Sequence, residues 1–173
     1  GLAKRSALLL LVGCLCSGLV AGLAKPWKRH TIDSSSKAAG KLGADGVRLA
    51  DVNGDGLLDI TTGWEQGGAI VVYQNPGPAK ARAAWPSVTV GRVVSPEDAM
   101  FIDLDNDGNL DVVSSCEGSA RTMYIHWAPP KRADYWNPSA WRTEAIPATK
   151  GKQLWMFAAP ARLDCRGAAE LFV

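Results

Sequence analysis

The chain has 173 residues, 47% of them hydrophobic, which suits one domain able to bury a core. Nineteen Lys and Arg stand against seventeen Asp and Glu, and no basic run tracks a phosphate backbone, so nucleic acid is a poor partner. No Ser-His-Asp set, His-rich metal site or phosphate loop is legible either.

Residues 1–24 read as a targeting segment. Lys4 and Arg5 precede an apolar stretch from Ala7 to Val12, and Gly22 and Ala24 offer small residues for a signal peptidase before Lys25-Pro26. Leu11-Val12-Gly13-Cys14 also resembles a lipobox, although the residues after Cys14 stay apolar where a lipoprotein tether is usually polar. An uncleaved membrane anchor is a third reading. All three place the folded part outside the cytoplasm, in a secreted or otherwise extracytoplasmic setting. Cys116 and Cys165 are the cysteines of the folded part, and their spacing permits a disulfide without demanding one.

Beyond the segment, Trp27 to Ile32 is the first of three short β-runs opened by a tryptophan. Trp85 to Val90 and Trp141 to Ile146 follow, 58 and then 56 residues on. Between them the order of elements is constant. One strand enters an acidic loop (Val47 to Val52; Ala99 to Leu104) and a second leaves it (Leu58 to Trp64; Leu110 to Cys116). A Glu-Gly turn follows, then a third strand (Ala69 to Gln74; Thr122 to Trp127), a Pro-rich connection and the tryptophan strand. Four strands per period predict an all-β chain of β-propeller blades, each of four antiparallel strands. A sandwich would also use many short strands, but gives no reason for the repeat. The expected organisation is a closing strand at 27–33, a blade at 46–91, a blade at 99–147 and part of a third at 154–173. Because propellers close with four to eight blades, the chain is expected to be a fragment, of about 400 residues in full if seven blades are assumed.

The acidic loops carry the chemistry. Asp51-Val52-Asn53-Gly54-Asp55-Gly56-Leu57-Leu58-Asp59 and Asp103-Leu104-Asp105-Asn106-Asp107-Gly108-Asn109-Leu110-Asp111 share the pattern D-x-[DN]-x-D-G-x-x-D, 52 residues apart. Side-chain oxygens of Asp51, Asn53, Asp55 and Asp59, with the Leu57 carbonyl, can converge on one hard cation. Asp103, Asp105, Asp107 and Asp111, with the Asn109 carbonyl, form the second set. Ca²⁺ takes six to eight oxygens in flexible geometry, and the glycine at position six permits the sharp turn. Metal-free Asx turns are the plainer alternative. An EF-hand is excluded, since it needs an acid at position twelve and flanking helices, where this chain has Thr62 or Ser114 within β-prone runs. In the third copy Arg162 and Arg166 stand where Asp103 and Asp107 do, so no Ca²⁺ is expected there and the arginines are expected to pair with Asp164 and Glu170.

These residues resemble the FG-GAP/VCBS repeat family of integrin α-subunit propellers and many secreted bacterial proteins. The resemblance rests on the stretches Leu49 to Ile60 and Phe101 to Val112, strong in two copies and weak in the third. It implies a seven-bladed propeller whose Ca²⁺ loops join the first two strands of each blade, with ligands meeting the opposite face. On that topology Asp45, Glu65, Glu97, Asp98 and Glu117 gather on one rim near Trp64 and Trp155, a possible ligand face for a second metal, a sugar or a basic partner. Solvated turn glutamates are the simpler account. Trp27, Trp85 and Trp141 are expected to pack between blades. A binding or scaffold module for protein or glycan is the leading reading. A lyase or sugar dehydratase using the acidic rim is the alternative, and clustering of His126 with Glu65 and Glu117 would favour it.

Overall fold

The computed structural model describes residues 28–163 and 169–173. Two four-stranded antiparallel sheets dominate it, each in simple chain order. The first holds β1 (Ala44–Ala50), β2 (Asp59–Trp64), β3 (Ala69–Tyr73) and β4 (Ser87–Arg92). The second holds β5 (Pro96–Ile102), β6 (Asp111–Cys116), β7 (Tyr124–Trp127) and β8 (Arg142–Ala145). A two-stranded sheet of β9 (Ala159–Ala161) and β10 (Glu170–Phe172) follows. This is the all-β, blade-type architecture that the repeat predicts. Segment 1–24 and Trp27 lie outside the described residues, as do Asp164, Cys165 and Arg166.

Period-two alternation explains how the sheets stack. In β3, Ile70 and Val72 face a core shared with the second sheet, while Ala69, Val71 and Tyr73 face the other side with Trp64. In β5, Ala99 and Phe101 enter the shared core, while Met100 and Ile102 join Val113, Met123 and Trp155 beyond it. Each valine or isoleucine so buried stabilises by about 1.5–3 kcal/mol relative to exposure. β5 is buried along its whole length, whereas Val47 and Leu49 of β1 are more than half exposed.

The tryptophan markers divide. Trp141 is buried in the shared core, donates its indole N–H to the Tyr135 carbonyl (2.8 Å) and meets the Tyr135 ring edge-on at 4.8 Å. Trp85 is only half-buried, its N–H on the Ala81 carbonyl. The expected closing strand is not formed over 28–33. A strand needs a ladder partner, and this stretch offers only the Ile32 carbonyl to the Trp85 amide (2.9 Å).

Two glycines set the closeness of the sheets. A Cβ on Gly46 of β1 would meet Asp98 of β5, and one on Gly91 of β4 would lie 2.0 Å from the His126 ring on β7. Both are packing glycines between sheets.

Candidate functional site

The two acidic loops join β1 to β2 and β5 to β6. In the first, Asp51 Oδ1 accepts the amides of Gly54 (2.7 Å) and Asp55 (3.1 Å), and Oδ2 that of Gly56 (2.8 Å). The Gly56 amide does most to hold the Asp51 carboxyl below its ordinary range. Asn53 Oδ1 takes the Asp55 amide (3.0 Å), and Asp55 Oδ1 the Leu57 amide (2.8 Å). Gly54 and Gly56 sit at φ +77° and +81°, which turns the chain's amides inward onto these carboxylates. The second loop repeats the plan, with Asn106 (φ +66°) in place of the first glycine and Gly108 at +86°. Asparagine tolerates that conformation better than most side chains.

The last aspartate of each loop does a different job. Asp59 is fully buried, and its two oxygens accept the Val52 amide (3.0 Å) and the Asn75 amide (2.8 Å). Asp111, 2% exposed, accepts the amides of Leu104 (3.1 Å) and Ala128 (2.8 Å) in the same way. Each carboxylate thus ties its loop to the exit of the third strand. Burial, with the charges of Asp105 and Asp107, pushes the Asp111 carboxyl up to about 6 despite those amides. In the third copy the Leu163 amide meets Glu170 Oε2 (3.1 Å), the same brace built from a longer acid. Among the described residues Arg162 makes no ion pair with Glu170, whose carboxylate the backbone amide holds; the other pairings of that expectation involve Asp164 and Arg166, outside the described residues.

The second loop presents the more convergent set. Carboxylate oxygens of Asp103, Asp105 and Asp111 all lie within 4.8 Å of one another. Asp103 Oδ2 accepts the Gly108 amide (3.2 Å), but its Oδ1 is buried with no partner. Asp107 Oδ1 takes the Asn109 amide (2.7 Å), and the Asn109 side chain reaches Asp107 Oδ2 and the Pro130 carbonyl. In the first loop, the Asn53 amide nitrogen instead closes onto Asp55 Oδ2 (2.9 Å). Arg132 joins the two loops, donating to the Asn53 carbonyl and the Gly108 carbonyl, each at 3.3 Å. Tyr135, whose hydroxyl donates to the Leu110 carbonyl (2.9 Å), lies close enough to Asp111 and Asp59 for their charges to add to burial in raising its pKa.

At the other ends of these strands the rim acids separate. Glu65, Glu97 and Glu117 come together, their carboxylate oxygens within 4.8 Å of one another. Burial, then the charges of Glu117, Glu65 and Asp45, pushes the Glu97 carboxyl up to about 7. Asp98 does not join them: it pairs with Arg48 across β1 and β5, at 2.5 Å. Asp45 turns onto the amide of Gly46 (2.9 Å). Trp64 and Trp155 are buried, with their indole N–H groups on the Tyr73 hydroxyl and the Thr149 carbonyl. Cys116 is buried too, and desolvation pushes its thiol up to about 12.

His126 is not at this rim. It is fully buried between the sheets, its Nε2 2.9 Å from Ser114 Oγ and its Nδ1 2.9 Å from Thr143 Oγ1. Desolvation alone pushes its pKa down to about 3. A folded-state pKa below the unfolded value of about 6.5 makes the neutral ring the folded form, so stability is present above pH 6.5 and lost as pH falls. Between pH 7 and pH 5 this ring should remove about 2 kcal/mol. Urea midpoints at both pH values, compared with those of His126→Asn, isolate it; equal slopes in the two proteins would refute the assignment.

Residues 51–114, from the first loop into β6, match the family model for an FG-GAP-like repeat. This stretch is an FG-GAP-like repeat region, in keeping with the FG-GAP/VCBS-like family, and the sheets around it are propeller-type blades. No curated protein matches the chain.

Proposed function

We propose that the chain is a Ca²⁺-stabilised propeller module of an extracytoplasmic protein, acting in binding or scaffolding. The observation that carries the metal assignment is the second loop, where oxygens of Asp103, Asp105 and Asp111 lie within 4.8 Å of one another and Asp103 Oδ1 is buried with no donor. An oxygen-only set of this kind fits Ca²⁺. Asp103, Asp105, Asp107 and Asp111 with the Asn109 carbonyl would hold one ion, and Asp51, Asn53, Asp55 and Asp59 with the Leu57 carbonyl another. Bound Ca²⁺ supplies positive charge that joins carboxylates which otherwise repel, so binding is linked to folding. The extracytoplasmic placement rests on residues 1–24, whose basic start and apolar core have the composition of an export signal.

Four of the tryptophans are closed to a glycan, which favours a protein partner. Sugar platforms need open aromatic faces. Here Trp64, Trp141 and Trp155 are buried, and Trp127 is covered by the Arg142 guanidinium 5.4 Å above its ring. The lyase or dehydratase alternative loses its histidine to the core, since His126 lies between the sheets and away from the glutamates.

Calorimetric titration with Ca²⁺ tests the loops, on the chain and on its Asp55→Ala/Asp107→Ala variant. Each occupied loop should raise stability by about 2.7 kcal/mol at a hundredfold excess over Kd, and the variant should lose both gains. A folded β-protein whose heat and thermal midpoint ignore Ca²⁺ would overturn the metal assignment.

A further inference from the structure

The three rim glutamates are placed by backbone features that the loops do not require. Glu65 follows β2 and Glu117 follows β6, and the same bond fixes both: the Glu65 amide on the Gly43 carbonyl (2.6 Å) and the Glu117 amide on the Ser95 carbonyl (3.0 Å). Ser95 holds φ +46°, an uncommon conformation for a residue with a side chain. Glu97 arrives by another route. The β5–β6 register pairs Pro96 with Cys116 and Asp98 with Ser115, leaving Glu97 as the extra residue of a β-bulge. A bulge turns one side chain out of the regular alternation, and here it is aimed at Glu65 and Glu117. Two adjacent blades therefore supply one cluster.

Glu97 is the independent sign that the cluster takes a ligand. It is only 8% exposed, its Oε1 has no hydrogen-bond partner, and its carboxylate faces two others. A buried charge is ordinarily paired or bound to metal. The nearby cations are engaged elsewhere: Arg48 with Asp98, and Arg92 with the Ala39 carbonyl. Among the described residues no Lys or Arg forms an ion pair with any of the three glutamates.

From this we infer that Glu65, Glu97 and Glu117 form a site for a hard divalent cation of the Ca²⁺ class, at the opposite ends of the strands from the loops. The donors are all carboxylate oxygens, with no nitrogen or sulfur that would select a softer metal. Ca²⁺ holds its ligands at 2.3–2.6 Å, so oxygens within 4.8 Å of one another can share one ion. Of the three, Glu65 also borders a concavity of about 580 Å³, together with Arg92 and Ser95. The assignment does not rest on the loop sites.

The test is the number of Ca²⁺ ions bound per chain at saturation, for the chain and for Glu97→Gln, by equilibrium dialysis with metal analysis. The substitution keeps the shape of the side chain and removes a charge repelled by its neighbours, so the fold is retained. The variant should bind one ion fewer than the chain, whatever the loops contribute: two instead of three with working loops, none instead of one without them. Glu117→Gln should do the same. Equal ion counts in the chain and both variants would overturn the site, leaving a carboxyl cluster that shares a proton.

Discussion

Alanine at Gly91 is expected to destabilise the protein by about 3 kcal/mol or more. The new Cβ would fall 2.0 Å from His126 Nδ1 and 2.3 Å from Cε1. The ring has nowhere to go. It is fully buried and bonded at both nitrogens, to Ser114 and Thr143. Moving it would leave buried hydroxyl and imidazole groups unsatisfied, at about 1–3 kcal/mol each, on top of the overpacking. Denaturant unfolding of Gly91→Ala, His126→Ala and the double variant decides the mechanism. The clash predicts that the double variant is more stable than the sum of the single changes, because removing the ring makes room for the methyl. Strict additivity would show that the cost lies elsewhere.

Asp111→Ala should cost about 3 kcal/mol even with a chelator present, because it removes a buried acceptor and leaves the part-buried Leu104 and Ala128 amides without a partner. Asp59→Ala should behave alike through Val52 and Asn75. Asp107→Ala, at an exposed position of the same loop, should cost about 1 kcal/mol or less without metal. Asn at 111 keeps an acceptor for one amide and should fall between. Unfolding midpoints measured in chelator separate this bracing role from metal binding. Equal losses for Asp107→Ala and Asp111→Ala would refute it.

Much of the fold was legible because the repeat states it twice. Acidic loop, Glu-Gly turn and strand order recur at nearly fixed spacing, and each copy corroborates the other. The equivalence of Glu65 and Glu117 was readable for the same reason. What brings Glu97 to them was not, since a bulge changes the register without leaving a mark on composition. Asp45 and Asp98 show the converse difficulty. Both belong to the rim by sequence position, yet one is taken by its neighbour's amide and the other by Arg48. The role of Gly91 was also hidden, because its partner His126 lies in the next sheet and no local pattern links them. Burial of the indole N–H groups of Trp64 and Trp155 depended on partners as hard to see, a tyrosine hydroxyl and a loop carbonyl.

The guanidinium of Arg132 has a consequence for how the molecule is made. It reaches a carbonyl in the first loop 79 residues earlier in the chain and another in the second loop. Ribosomes add about 5–20 residues per second, so roughly 4–16 s separate the synthesis of Asn53 from that of the arginine. The oldest acidic loop acquires its last contact only after the newer one has been translated. The first loop is thus completed by a residue of the following blade, and one side chain locks both loops at the same stage of synthesis.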